Sequence, residues 1–496
     1  MIRPIAPDAT IVASRQVSKE LQEEFADFSG DRNPMHIDEL AARRTPAGKP
    51  VVHGMHTLLW ALDSLYNLGR IGSHLTGIKV TFLKWVYLCD VCELLLPLGE
   101  SVNPRLLEVR ARGMPVLTAE LDYGDYSERG SSGSLLCGST ARNQSSANDL
   151  LFSQMEDRSG YVLPTPPSDA ATLFPHLSAS VSAAAVAELA ACSYIVGMEC
   201  PGLNSIFSKL DLVLARGPGL NPERAGLHYQ AIRCDERFQK VRIAVTGHHI
   251  AGTLEAFMRS PPVGQISMQS ALGAVGPGEF AGMNALIIGG SRGLGELAAK
   301  LIAAGGGSST ITYSQGKHDA ECVAAEVRAC GGTITVSRYD VCLPPAEQLA
   351  CFEDEVLHIS HLFYFATNHI FQAKGELVSA RLLADFTTFY VLGFYDLCAR
   401  LVNVRQRKNP TLIAYYPSST AVEERPLGMT EYSMAKAAGE QMCRDMNQYM
   451  QGLQVLVTRL PRLRTDQTAT VIPTQDADAV TVLLPIIRHV HLLSKI

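Results

Sequence analysis

Charge is scarce in this chain of 496 residues. Asp, Glu, Lys and Arg make up 19% of it and the net charge is −6, which argues against nucleic acid as the main partner. Residues 1–16 lack a basic-then-apolar leader, and no apolar run is long enough to span a bilayer, so no membrane is expected. The expected location is the cytoplasm. The 12 cysteines lack the spacing of a disulfide framework and read as free thiols. Cys89-Asp-Val-Cys92 has no second pair to complete a metal site and sits in an apolar, strand-like run. Strand packing is the expectation there, and no metal is called for. What remains is 47% apolar, ordinary globular material for about three domains of roughly 150 residues each.

One stretch carries chemistry: Phe28-Ser29-Gly30-Asp31-Arg32-Asn33-Pro34-Met35-His36. Pro34 fixes its own φ and pushes Asn33 out of the helical region, and Gly30 adds a second break. Asp31 and His36 can then converge on one water instead of lying along a helix face. A carboxylate and a neutral imidazole around a water suit reversible hydration of an activated alkene. Taken alone, an Asp and a His in a polar turn are ordinary surface composition.

The detail goes further. Ser29-Gly30-Asp31-Xaa-Asn33-Pro34-Met35-His36, Ala42 and Val51-Val52-His53-Gly54-Met55 resemble the signature of the R-specific enoyl-CoA hydratases, the MaoC-like hot-dog dehydratases. Met35, where Leu is commoner, is a mild departure. The resemblance implies that Asp31 and His36 hold the catalytic water and that the Gly54 N–H binds the thioester oxygen. Arg43, Arg44 and Lys49, between His36 and His53, read either as the rim of the acyl tunnel, where coenzyme A or a carrier protein would dock, or as a solvated basic loop.

Around that loop, residues 16–28 and 56–68 read as helices, and 77–87, 91–98, 105–112 and 116–123 as strands. This order is expected of a hot-dog in residues 1–126. Residues 127–148, rich in Ser and Gly, read as a surface loop. The pattern then repeats in residues 150–260, with a helix at 183–196 and strands at 205–214, 227–234, 239–245 and 252–258, but without the Asp/His motif. The fold class expected is an α+β double hot-dog with one active half, whose second half covers a sheet edge and shapes the tunnel. Residues 261–282 read as a linker to an α/β Rossmann domain at 283–496.

That domain opens with the buried-strand run 284–288 entering Gly289-Gly290-Ser291-Arg292-Gly293-Leu294-Gly295. Glycines let a backbone approach a pyrophosphate at a helix N-terminus. The next strand ends in Ser314 with no acid for a ribose. With Arg292 in the loop and Lys317 beyond, NADPH is preferred to NADH as cofactor. Tyr432-Ser-Met-Ala-Lys436 lies one helical turn apart, thirteen residues after Ser419. A phenol beside an ammonium has its pKa lowered, fit for proton transfer near neutral pH.

Glycine loop, Asp340-Val341, Ser419, Tyr432 and Lys436 together resemble the short-chain dehydrogenase/reductase family. The resemblance implies Tyr432 as proton donor, Ser419 orienting the carbonyl, Lys436 on the nicotinamide ribose, and Asp340 beside the adenine. Gly289, Ser291, Arg292, Gly293, Leu294, Gly295, Ser314, Val341 and Thr465 complete the cofactor set. Four departures bear on turnover and assembly. Ile288 replaces Thr, Tyr364-Phe365-Ala366-Thr367 replaces Asn-Asn-Ala-Gly, Tyr390 replaces the relay Asn, and Pro461-Arg462 replaces Pro-Gly. Few residues follow Pro461, so the sheet is expected to lack its last strand; a homodimer is the assembly left open. The reading is a bifunctional ketoreductase-dehydratase for 3-oxoacyl thioesters of coenzyme A or acyl carrier protein. Its alternatives are a degradative hydratase–dehydrogenase and a dehydratase with a non-catalytic Rossmann domain.

Overall fold

The structure, a computed structural model, describes residues 9–99, 102–124, 146–215, 226–351, 353–370, 377–405, 411–466, 468 and 476–495. Most of the Ser/Gly-rich loop expected at 127–148 lies outside the described residues. Contacts divide the chain into two compact units at Pro261/Pro262.

The first unit is one antiparallel sheet of ten strands wrapped on two apolar helices. Its strands are β1 (Thr10–Gln16), β2 (Leu75–Phe82), β3 (Val91–Leu96), β4 (Leu106–Ala111), β5 (Met114–Tyr123), β6 (Ser159–Val162), β7 (Ser205–Leu214), β8 (Leu227–Asp235), β9 (Lys240–Thr246) and β10 (Ile250–Met258). Their order is β1-β3-β4-β5-β2-β7-β10-β9-β8-β6. Strands β1 and β6 are two that sequence reading missed. The halves join where β2 meets β7, with Ile78 opposite Leu212 and Val80 opposite Leu210. Each half thus supplies the partner for the other's open edge, and those edges are removed from water. The helix Gly54–Asn67 buries Met55, Leu58, Leu59, Leu62 and Leu65, a 3–4 spacing that packs one stripe on the sheet. The helix Ala183–Tyr194 of the second half is buried over nearly all of its surface and runs on into a π-helical turn, Ile195–Glu199.

The second unit carries a parallel sheet of β11 (Asn284–Ile288), β12 (Ser308–Tyr313), β13 (Thr333–Arg338), β14 (His361–Tyr364), β15 (Leu412–Ser419) and β16 (Leu453–Leu460). Their order is β13-β12-β11-β14-β15-β16, a doubly wound arrangement whose reversal lies beside β11. Among the described residues the sheet ends at β16.

Two expectations need correction. Residues 261–282 are not a bare linker: Met268–Ala274 is a helix capped by Ser267, and Met268 and Ala271 are buried against the second unit's core. The buried Lys300 ammonium fixes this segment by donating to the Ile266 carbonyl (3.0 Å) and pairing with Glu296 (2.8 Å) and Glu326 (2.7 Å). Glu326 also accepts from the Met268 N–H at 2.7 Å. The prolines of this stretch lie outside the helix, which tolerates Gly273 in its last turn. Second, Ala380–Val404 forms a helical run that is long and apolar enough, by length and composition, to cross a membrane. Here one face of it places Leu382, Phe386, Tyr390, Phe394, Leu397 and Leu401 in the core, while Leu392 and Tyr395 are exposed.

Candidate functional sites

The Asp31 loop is built from two interrupted helices. The first, Lys19–Ser29, ends at Gly30 with φ +76°. Asn33 then caps a single turn, Pro34–Ile37, its side chain accepting from the Met35 N–H at 3.1 Å, with Pro34 preset for the first helical position. This folds His36 back over Asp31. Asp31 is 2% exposed; its Oδ1 accepts from the Asn33 N–H (3.2 Å) and its Oδ2 from the Ser193 hydroxyl (2.7 Å). Burial raises its pKa, while His36, Ser193 and the Asn33 N–H each pull it down in part.

His36 Nδ1 lies 2.7 Å from the Val51 carbonyl. In the neutral ring that contact places the proton on Nδ1 and leaves the Nε2 lone pair for a reactant. His53 stacks on His36 with ring centres 3.8 Å apart, and its Nε2 lies 2.9 Å from the Asp31 carbonyl. Burial and the neighbouring His36 push the His53 pKa well down, so His53 stays neutral. Asp31, His36 and His53 bring three potential ligand atoms within 4.8 Å of one another, the closest approach to a metal-ligand set among the described residues.

Asp31 and His36 face a pocket that opens to solvent, with His53 buried behind them. Gly54 lines it at the start of its helix, where the first N–H groups have no intrahelical acceptor. A side chain there would collide with the Phe82 ring, which lies 2.8 Å from the place a Cβ would take. Phe82, Trp85, Val116, Ile206 and Phe207 supply apolar wall. Lys84 is a cation among the lining residues; Arg43, Arg44 and Lys49 are not part of that lining, and the Lys49 ammonium lies 4.4 Å over the Tyr87 ring.

In the second unit the glycine turn joins β11 to the helix Gly293–Ala304. Gly295 has to be glycine, because a Cβ would stand 2.3 Å from the Gly289 carbonyl oxygen. Ser291 is buried, Leu294 half-buried, and Arg292 lies in extended backbone with its guanidinium 3.3 Å from the Asp466 carboxylate. Ser314 and Lys317 are exposed beyond β12. Asp340 Oδ1 accepts from the Cys342 N–H at 2.9 Å, beside buried Val341, and the Thr465 N–H donates to Thr468 Oγ1 at 2.8 Å. Ser419, at the end of β15, accepts from the Ala421 N–H at 3.2 Å and lies near enough to the Tyr432 phenol, on the helix Thr430–Tyr449, to favour its ionised form.

Residues 5–98 match the family model of the MaoC like domain, and residues 283–475 that of the short chain dehydrogenases. The chain joins a MaoC-like domain to a short-chain dehydrogenase domain. A 3-hydroxybutyryl-CoA dehydratase from Methylorubrum extorquens is 40% identical over 48 residues, 10% of this chain and 31% of that protein. The chain therefore spans about a third of the length of the curated relative it matches. Similar solved structures include a dehydrogenase/reductase from Sinorhizobium meliloti, 17% identical with a TM-score of 0.36, covering 45% of this chain and 91% of that one. An alcohol dehydrogenase from the archaeon Thermococcus sibiricus, complexed with 5-hydroxy-NADP, is 18% identical with a TM-score of 0.36, covering 43% and 91%.

In the MaoC-like domain, the structure brings Asp31, His36 and Gly54 to one cavity. Sequence reasoning missed what the other half adds. Ser193 and Gly197 line the same cavity, and Asn33 Nδ2 donates to the Gly197 carbonyl at 2.8 Å. Ser193 sits in an Ala-Ala-Cys-Ser-Tyr run that reads only as apolar helix, so no local signal marked it. In the dehydrogenase domain the expected phenol–ammonium pair differs. Burial raises the Tyr432 pKa, with Ser419 opposing in part. Lys436 Nζ lies 5.9 Å from the Tyr432 ring centre and donates to the Pro417 carbonyl at 2.7 Å. The ammonium lies only 3.9 Å above the Tyr390 ring, and burial brings its pKa down to about 7. Tyr390 is the physical reason: an aromatic ring where the family has an amide draws the cation to its face.

Proposed function

We propose that the chain is a bifunctional ketoreductase-dehydratase for 3-oxoacyl thioesters, its first unit a double hot-dog with one active half. The Rossmann domain reduces the 3-oxo group with NADPH, and the Asp31 cavity dehydrates the resulting (3R)-hydroxyacyl thioester to the trans-2-enoyl form. The observation that carries the reading is the convergence of Asp31, His36 and Gly54 on one apolar-walled cavity. In dehydration C2 gives up a proton, the thioester enolate collapses, and the C3 hydroxyl leaves as water after taking a proton. A carboxylate and an imidazole supply one acid and one base for those two transfers. The enolate oxygen falls to the Gly54 N–H, an oxyanion-hole contribution that grows with charge at that oxygen. Lys84 at the cavity suits the phosphates of coenzyme A or of a carrier's prosthetic arm.

For the cofactor, the glycine turn before the helix Gly293–Ala304 offers backbone N–H groups to a pyrophosphate. NADPH supplies the hydride when bound; Tyr432 gives the proton to the carbonyl oxygen that Ser419 orients. One observation favours a second reading, a dehydratase with a cofactor-binding domain that does not turn over: Lys436 is turned to Tyr390 and Pro417.

The test is hydration of a short trans-2-enoyl-CoA without nucleotide. The (3R) alcohol is expected, and Asp31→Asn and His36→Ala should each lower the rate by roughly 10²–10⁴. An (S) product, or full activity in both variants, would overturn the assignment.

A further inference from the structure

We propose that Ser193, from the half without the motif, is a positioning residue that holds the Asp31 carboxylate in its reactive orientation; this rests on the dehydratase reading above. The Ser193 hydroxyl donates to Asp31 Oδ2 at 2.7 Å with both residues buried. Behind the same carboxylate the chain is a π-helical turn, Ile195–Glu199. An extra residue in a helical turn displaces the backbone locally, a device found often at functional sites. Here it brings Gly197 so near that a Cβ would stand 2.3 Å from Asp31 Oδ1 and 2.6 Å from Oδ2. The second half thus contributes a donor to one carboxylate oxygen and, beside both oxygens, a wall that tolerates no side chain. Asn33 ties the two together through the Gly197, Gly202 and Leu203 carbonyls. This half contacts the Asp31 carboxylate while lacking an Asp/His pair of its own.

The groups that face Asp31 define what the hydroxyl controls. Among the described residues the titratable groups beside it are His36 and His53 on its own half, and from the other half Ser193 and Gly197 pack on it without adding a charge. Arg32 and Asp27 pair with each other on the exposed side of the loop. Ser193 is therefore the one side-chain hydroxyl donating to this carboxylate among the described residues, and its loss leaves Oδ2 desolvated without that donor. A buried carboxylate that loses a donor is harder to ionise.

The test compares Ser193→Ala and Ser193→Cys with the wild-type full chain. Ser193→Cys keeps the side chain's shape with a weaker donor, so it reports even if the alanine variant folds poorly. With trans-2-enoyl-CoA, kcat should fall roughly ten- to a hundredfold in Ser193→Ala while KM changes little, and less in Ser193→Cys. The acid limb of kcat/KM should move up by about one pH unit, which a purely structural role would not produce. In an Asp31→Asn background, Ser193→Ala should have no further effect on rate. The Asp31 carboxyl, followed by its carbon NMR signal, should titrate higher in both variants. An unmoved acid limb and an unmoved titration in both would overturn the proposal. If the wild type turns over no enoyl or hydroxyacyl thioester, the dehydratase reading fails, and the carboxyl titration still decides what Ser193 does.

Discussion

The Lys436 ammonium lies 3.9 Å over the Tyr390 ring and donates to the Pro417 carbonyl, so the cation that a ribose and a reactive phenol would share is already engaged. Tyr390 itself is fully buried, its hydroxyl 2.5 Å from Thr367 Oγ1 and its ring in edge contact with Tyr432. A cation–aromatic contact without water is worth roughly 2 kcal/mol, a cost that cofactor binding has to offset. Tyr390→Asn should therefore release Lys436 toward Tyr432 and raise NADPH oxidation with a 3-oxoacyl thioester by about tenfold or more. An unchanged or lower rate in a variant of normal thermal stability would show that Tyr390 does not restrain the lysine.

Arg292 also has a partner already, the Asp466 carboxylate at 3.3 Å, and Asp466 Oδ1 accepts from the Val263 N–H at 2.7 Å. A 2′-phosphate would compete for the guanidinium. NADPH should bind more tightly than NADH, and Arg292→Ala should narrow that gap by roughly 1–3 kcal/mol, the size of a charge-assisted contact. Asp466→Asn should widen it, because the competing anion is gone. Isothermal titration showing NADH preferred, or Asp466→Asn weakening NADPH, would contradict this arrangement.

How much of this could be read from the chain depends on whether the signal was local. Asp31, His36 and Gly54 lie within one short segment whose breaks, Gly30 and Pro34, are themselves in the sequence, and β7 runs over Ser205–Leu214 as its apolar alternation suggests. The Gly293–Ala304 helix and its glycine turn were equally legible, because strand, turn and helix are contiguous. Ser193 and Gly197 were not, since their chemistry is defined only by a loop more than 160 residues away, as the Ser193–Asp31 contact shows. The same holds for Lys436: spacing put it one turn from Tyr432, but where the ammonium points depends on Tyr390 and Pro417, contributed by other elements. The helix Met268–Ala274 was hidden for a simpler reason, the Pro and Gly on either side of it.

Acid should destabilise the first unit before any carboxylate-driven unfolding begins. His53 and His56 are buried and neutral; burial brings the His56 pKa down to about 3 and the His53 pKa well below its usual value. Their folded pKa values lie under the unfolded 6.5, so the unfolded chain binds more protons below that pH. Stability from these groups is complete above pH 6.5 and is lost as pH falls from 6.5 toward 3, by at most about 1.4 kcal/mol per pH unit for each. Asp31 acts in the opposite sense, because its raised pKa means that protonation relieves a strain of burial. Urea midpoints at pH 7.5, 6.5 and 5.5 should fall below pH 6.5. His56→Phe, whose ring can keep the stack on Phe25 (centres 4.6 Å apart for His56), should flatten that decline. A midpoint independent of pH across this range would mean that the two rings gain protons without cost.

The two chemistries are linked only if Tyr432 reduces what Asp31 and His36 then dehydrate. Given a 3-oxoacyl thioester and NADPH, the full chain should form enoyl thioester, seen as a gain of conjugated-thioester absorbance. Hydration of such alkenes is readily reversible, so a mixture of hydroxy and enoyl products is expected, not full conversion. Asp31→Asn should oxidise NADPH at a near-normal rate and stop at the (3R)-hydroxy thioester. Tyr432→Phe should oxidise none, yet still dehydrate (3R)-hydroxy thioester supplied from outside. The crossed pattern follows from the chemistry of each residue: a carboxylate on the MaoC-like domain has no part in hydride transfer, and a phenol on the dehydrogenase domain has none in loss of water. NADPH oxidation at the normal rate in Tyr432→Phe would remove the reductase assignment. No oxidation in the wild type with any 3-oxo thioester, and none gained in Tyr390→Asn, would leave the second domain a binder of cofactor beside a working dehydratase.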